Sequence, residues 1–216
     1  MLAESDKQDF ARALSLMQII YMTVETNIRE VCDMKQESTL KIERERKFLV
    51  EARLLPDNFV ENIHFEIRQY YLTKPGDSVE IRIRSLVSRI DSKYFLTIKR
   101  KVEGGDKSER YEEEVPITNP IFYQILRLNG YKRGMKGIVK ERFLIKQKSG
   151  IVIEVDVYDY DPKSSLMDKN IVAEIELKSK SDFADLELPP WIGEEVTGRP
   201  EYSNAEIAEK GFPKRK

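Results

Sequence analysis

Charged side chains recur at every second position in several short segments of this chain. They are Glu43, Glu45 and Lys47 in KIERERKFLV, Glu80, Arg82 and Arg84 in VEIRIRS, and Thr97, Lys99 and Lys101 in YFLTIKRK. The pattern continues with Arg110, Glu112 and Glu114 in RYEEEV, Lys140 and Arg142 in VKERFLI, Glu154 and Asp156 in IVIEVDVY, and Glu174, Glu176 and Lys178 in IVAEIELKS. A period of two puts each set on one face of a strand and the intervening apolar residues on the other. The sets are also sorted by sign, with carboxylate pairs on some strands and Arg or Lys pairs on others. Carboxylate oxygens suit hard divalent cations, and guanidinium and ammonium groups suit phosphate oxygens.

Two architectures accommodate this alternation. In an open antiparallel sheet the charges would face water and have no need of sorting. In a closed antiparallel barrel the apolar face points outward under covering helices, and the charges line a central tunnel. Burying so many charges is costly unless opposite signs, metal ions or a ligand compensate them. A tunnel that takes both a polyanion and divalent cations meets that condition. The fold class expected is therefore α+β: a closed antiparallel β-barrel of seven or eight strands with helices packed outside, plus an N-terminal helix.

The connecting segments carry matching signals. HFEIRQYYLT reads as one more strand, and Gly104-Gly105 and Ser149-Gly150 read as hairpin turns. Asn119-Pro120 opens a helix that ends near Gly130, Ser203 and Glu206 form a capping box for another that Gly211 stops, and a short helix starts at Ser181 or Asp182. Residues 1–40 form a separate extension, with Phe10, Leu14, Met17, Ile20, Tyr21, Val24, Ile28 and Val31 at helical spacing and Ser5 with Gln8 as a capping box. That helix is expected to pack or to make a dimer contact, and Met34 offers a second candidate start. Residues 41–212 form the barrel domain.

Composition removes several chemistries. The 216 residues include one Cys and one His, so neither an internal disulfide nor a Cys- or His-rich metal site can form. His64 has no Ser or Cys motif around it and reads as a surface or satisfied histidine. With 37 Lys+Arg against 38 Asp+Glu there is no basic excess for general nucleic-acid binding. The most apolar stretch, residues 13–24, is short of the roughly 20 residues that span a bilayer, and no signal peptide is evident. A cytoplasmic protein without membrane or nucleic-acid partners is expected.

Taken in order, ERERK (Glu43 to Lys47), RIR, TIK, KERF, IEVD and AEIE resemble the CYTH or triphosphate tunnel metalloenzyme superfamily, and PPWIGEEVTGRPEYSN is similar to the tail of its small bacterial inorganic triphosphatases. The resemblance implies an eight-stranded tunnel that hydrolyses a linear triphosphate, inorganic tripolyphosphate first, with Mg²⁺ or Mn²⁺. It implies that Lys47, Arg82, Arg84, Lys99 and Arg142 bind phosphate oxygens. Glu43, Glu45, Glu174 and Glu176 would hold metal, with Glu112, Glu154 and Asp156 as further ligands or orienters. Lys140 and Tyr71 are the candidates for aiming or deprotonating the attacking water, against core packing as the plainer reading of Tyr71. Arg110 stands where many members carry Glu, either changing tunnel charge or pairing with Glu112. Arg44 and Arg46 are expected on the outer face, solvated or paired with helix carboxylates, and Trp191 as a plug at one tunnel mouth. Thiamine triphosphate or nucleotide hydrolysis, adenylate cyclisation and non-catalytic polyphosphate binding remain alternatives on the same scaffold.

Overall fold

The alternating segments become the strands of one antiparallel sheet. The computed structural model of the chain describes residues 41–105, 109–129, 136–147, 149–176 and 187–214. Its strands are β1 (Lys41–Val50), β2 (His64–Tyr71), β3 (Val79–Val87), β4 (Ser92–Lys101), β5 (Glu109–Ile117), β6 (Gly137–Lys146), β7 (Val152–Tyr158), β8 (Asn170–Glu176) and β9 (Ile192–Glu195). The helices are α1 (Asn119–Leu128) and α2 (Asn204–Lys210). The expected extension helix with its capping box, Met34, the helix at Ser181 or Asp182, Gly130 and Lys178 all lie outside the described residues.

The strand order is β5-β4-β3-β2-β6-β7-β8-β1-β9, and a further β5–β1 pairing closes the first eight strands into a barrel. One edge of β1 is shared: its start pairs with β5 from Lys41↔Glu112 to Arg44↔Glu109, and its end pairs with β9 at Phe48↔Glu195 and Val50↔Ile192. The other edge pairs with β8 from Glu45↔Glu176 to Leu49↔Val172. Closure removes the long unpaired edges that an open sheet of this size would expose. The short β9, within the PPWIGEEV segment, was not expected from alternation, because four residues carry too little pattern.

Three apolar clusters surround the charged interior. On one outer side Phe48, Phe143, Ile153, Val155, Ala173 and Ile175 are covered by Phe59 and Trp191, with Leu55, Tyr160 and Leu166 around them. On another, Phe122, Ile125 and Leu126 of α1 pack on Tyr70 and Ile83, flanked by Tyr94, Leu96 and Ile117. The third cluster lies inside one end of the barrel, where Ile207 of α2 meets Ile138, Tyr158 and Val172, with Leu49, Ala208 and Phe212 packed against them.

Two local expectations change. Trp191 belongs to the outer cluster, 4% exposed, so α2 rather than this indole closes the tunnel end. Its ring is large and apolar and finds more partners beneath the 51–63 segment than at a charged mouth. Asn119 lies in the first turn of α1, where Thr118 is the N-cap, and its side-chain amide donates to Tyr94 Oη at 2.6 Å. Half of the capping box of α2 is present, with the Glu206 amide donating to Ser203 Oγ at 3.2 Å while the Ser203 amide donates to the Pro200 carbonyl at 2.9 Å, and Gly211 at φ 82° ends the helix.

Candidate active site

Strand order turns the sorting by sign into two arcs. The carboxylates sit on β7, β8, β1 and β5, which are neighbours around the barrel, and the bases sit on β4, β3 and β6, with β2 between the last two. In the chain these strands are interleaved. Within the acidic arc β7–β8 is a local pair, while β8–β1 and β1–β5 join strands far apart in the chain; within the basic arc β3–β4 is local and β2–β6 is not. Lys47 and Arg110 are basic exceptions within the acidic arc, and Arg110 registers opposite Glu43.

Salt bridges stitch the arcs together. Lys99 Nζ lies 2.5 Å from Glu43 and 3.4 Å from Glu112, and Arg82 lies 3.6 Å from Glu112 and 3.7 Å from Glu80. Arg84 donates to Glu114 at 2.5 Å, and the buried Thr97 hydroxyl donates to the same oxygen at 3.0 Å. Arg142 makes a two-pronged contact to Asp156 at 2.6 and 2.7 Å, reaches Glu174 at 2.5 Å, and also donates to Glu154. Lys140 Nζ donates to Asp156, and Lys47 lies 2.9 Å from Glu174 and 3.3 Å from Glu45.

Burial without water makes these groups shift one another's protonation. Burial pushes the Glu45 carboxyl up to about 7, helped by the neighbouring carboxylates Glu174 and Glu43. Burial would also raise Glu174, but Lys47, Lys140 and Arg142 overcome it and hold its carboxyl well below the usual range. Lys140 is lowered by burial and by Arg142, against the pull of Asp156. Arg84 is lowered by burial and by the cations Arg82 and Arg142. Tyr71 is raised, mainly by burial, and keeps its proton.

The proposed phosphate binders and metal ligands line this one interior, except that Glu176 sits at its exposed rim opposite Glu45. Lys140 and Tyr71 are not hydrogen-bonded to each other. The register sets Lys140 opposite Ile67 and Tyr71 opposite Arg82, and Tyr71 Oη accepts instead from Gln69, which is 1% exposed. Thr97 and Glu114 were placed on the inward face without a role, and Gln69 and Tyr158 were not singled out in the sequence. Parity could have found both, since each lies two residues from a position already placed inside.

His64 lies on the outer face, with Nδ1 3.0 Å from the Asn62 carbonyl and Nε2 3.7 Å from Glu141, as a satisfied histidine should. Arg44 and Arg46 are on the outside and pair with the strand carboxylates Glu109 of β5 and Glu195 of β9.

Two features of the interior point to absent ions. Arg82 Nε and Arg84 Nε are buried donors with no acceptor. An orphaned charged donor is expensive unless an anion meets it. Among the described residues no three Asp, Glu, His or Cys side chains converge as a ready-made cation cage, because most of the carboxylates are engaged by Lys or Arg. The donor set nevertheless fits a hard divalent cation: Glu45 registers opposite Glu176, beside Glu43 and Glu174, and the repulsion that raises Glu45 is what a cation would relieve.

Residues 41–212 match the CYTH domain family. The chain belongs to that family. An inorganic triphosphatase of Nitrosomonas europaea is 32% identical to this CYTH protein over 166 residues, covering 77% of this chain and 96% of the relative. An inorganic triphosphatase of Acetivibrio thermocellus is 28% identical over 148 residues, covering 67% and 81%. Among solved structures, the crystal structure of the inorganic triphosphatase NE1496 superimposes with a TM-score of 0.51 at 30% identity, covering 79% of this chain and 97% of that one. The match thus spans between 81% and 97% of the length of these three.

Proposed function

We propose that this CYTH protein is a phosphoanhydride hydrolase that splits a linear triphosphate, inorganic tripolyphosphate first, inside the barrel with Mg²⁺ or Mn²⁺. The observation that carries the reading is the pair of buried, acceptorless Arg82 and Arg84 Nε donors set in a cationic arc facing an acidic one. The names of the Nitrosomonas and Acetivibrio relatives support the same substrate class.

In this reading Arg82, Arg84, Lys99, Lys47 and Arg142 exchange part of their carboxylate contacts for phosphate oxygens. A fixed cationic cradle needs little reorganisation as charge moves in the transition state. Glu43, Glu45, Glu174 and Glu176 would hold the metal, with Glu112, Glu154 and Asp156 orienting cations nearby. A bound divalent ion supplies charge neutralisation at the phosphates and a more acidic water. Water attacks the terminal phosphorus in line, the anhydride P–O bond breaks, and orthophosphate and pyrophosphate leave. Burial and Arg142 lower the proton affinity of Lys140, so that its amine form takes the water proton at Nζ and returns to the ammonium that Asp156 holds. Tyr71 keeps its own proton and, with Gln69 occupying its oxygen as acceptor, can donate toward the substrate.

The test is release of orthophosphate from tripolyphosphate, with ATP and thiamine triphosphate in parallel, under Mg²⁺ and Mn²⁺. Turnover of tripolyphosphate above the other two is expected. No turnover with any divalent ion would end the reading. Among the described residues no helix is long and apolar enough to cross a membrane, and a cytoplasmic site of action remains part of the proposal.

A further inference from the structure

Tyr158 occupies a position the hydrolytic mechanism does not use. It is the last residue of β7, two after Asp156 and on the same interior face, and it is 4% exposed. Its ring lies beneath Lys140, with Nζ 5.7 Å from the centroid. An ammonium group over an aromatic face is attracted by the ring quadrupole, most strongly where water is excluded. The ring is itself held from the other side. Its O–H donates to Asn204 Oδ1 at 2.5 Å, and Phe212 meets it edge-on at 5.3 Å between centroids. Asn204 is the first residue of α2, capped by Ser203, and Ile207 of that helix packs on Ile138 and Val172. Directly after Tyr158 the chain turns at Asp159, φ 51°, whose carbonyl accepts from Lys169 Nζ at 2.6 Å. Ring, hydroxyl and backbone are therefore fixed independently.

We infer that Tyr158, anchored by Asn204, is a positioning residue for Lys140, so that the C-terminal helix sets the aim of the lysine as well as closing the barrel end. Asp156 holds the Lys140 ammonium from one side and the Tyr158 ring from below, which limits the directions in which Nζ can point. The kinetic part of this inference rests on the proposed role of Lys140 in hydrolysis; the geometric part does not.

The test uses the full chain with Tyr158→Phe, Tyr158→Leu, Asn204→Leu and Asn204→Asp, the last keeping an acceptor for the phenol. Tyr158→Leu and Asn204→Leu are expected to lower kcat for tripolyphosphate about tenfold, roughly one desolvated cation–π contact, with KM changed less than twofold. Asn204→Asp should recover most of the loss. Combining Tyr158→Phe with Asn204→Leu should cost no more than the worse single change, because both remove the same hydrogen bond. Independently of activity, the ε-methylene protons of Lys140 should show an upfield ring-current shift by NMR that Tyr158→Phe retains and Tyr158→Leu abolishes. An unchanged Lys140 resonance in Tyr158→Leu overturns the inference, as does a loss in which kcat and KM move together with thermal stability. A wild-type protein that hydrolyses nothing, yet loses the Lys140 shift in Tyr158→Leu, would refute the hydrolase reading and leave the positioning intact.

Discussion

At the scale of single residues, the interior is a set of charges that are each tolerable only because of their neighbours. Glu45 is the clearest case. In the unfolded chain its carboxyl titrates in the ordinary range, and in the native barrel burial, Glu174 and Glu43 push it up to about 7. The folded state therefore holds this proton more tightly. The stability it contributes is fully present below the ordinary carboxylate range and is lost as pH rises through about 7. With chelator present, the melting temperature of the wild type relative to Glu45→Gln should fall between pH 5 and pH 8, by on the order of 5 °C for a domain of this size. Calorimetry across that range checks it, and a constant difference would contradict the assignment. Arg82 offers a second test, since its buried Nε lacks an acceptor until an anion arrives. Arg82→Ala should lower kcat/KM for tripolyphosphate on the order of 10²-fold, as expected for losing charge-assisted hydrogen bonds. Steady-state kinetics with Arg82→Lys beside it would show whether the guanidinium fork or the charge alone is needed.

At the scale of elements, alternation made the strands readable because parity is enforced twice, by charge inside and by apolar packing outside. A one-residue slip would exchange the two environments at every position of a strand. That is why β3, β4, β6, β7 and β8 followed from the pattern, and why four-residue β9 did not. Helix signals were readable where caps are local, as at Ser203 and Gly211, and were displaced by one residue at Asn119, where the amide found Tyr94 instead. Long-range packing was not legible: nothing local says that Trp191 meets Phe48 and Phe59, or that α2 enters the barrel end. The helix α1 belongs to a different apolar cluster from the one that closes the barrel, which makes stability and activity separable there. Phe122 is 2% exposed, so Phe122→Ala should cost about 3–5 kcal/mol of stability. Tripolyphosphate kcat, measured well below the new melting temperature, should stay within about twofold.

At the scale of the whole molecule, which strands touch is decided by closure, and closure gathers interleaved acidic and basic segments into two opposing arcs. The charges and their inward direction could be read from the chain. The arcs could not, because they depend on three pairings, β1 with β5, β1 with β8 and β2 with β6, between strands far apart in sequence. The same limit applies to the separation of Tyr71 from Lys140, which neither parity nor resemblance could place. Residues 1–40 precede the 41–212 match to the CYTH family. A chain lacking residues 1–33 should turn over tripolyphosphate within about twofold of the full chain. Light scattering on both forms would show whether the extension governs dimerisation, and a loss of turnover would make it part of the enzyme.

The neighbours of β1 have a consequence for how the protein is made. Lys47 bonds through its backbone to Thr197, 150 residues later, and both β8 and β9 arrive near the end of the described chain. At a typical bacterial or eukaryotic ribosome speed that interval lasts roughly 10–30 s. Until β8 emerges, late in that interval, the first strand, with its glutamates and lysine, has no partners on the β8 side and cannot complete a ring. Such non-local closure folds slowly and leaves an open ribbon edge exposed in the meantime. Yield from cells should therefore respond to chaperone supply and growth temperature more than the finished molecule's resistance to heat would suggest.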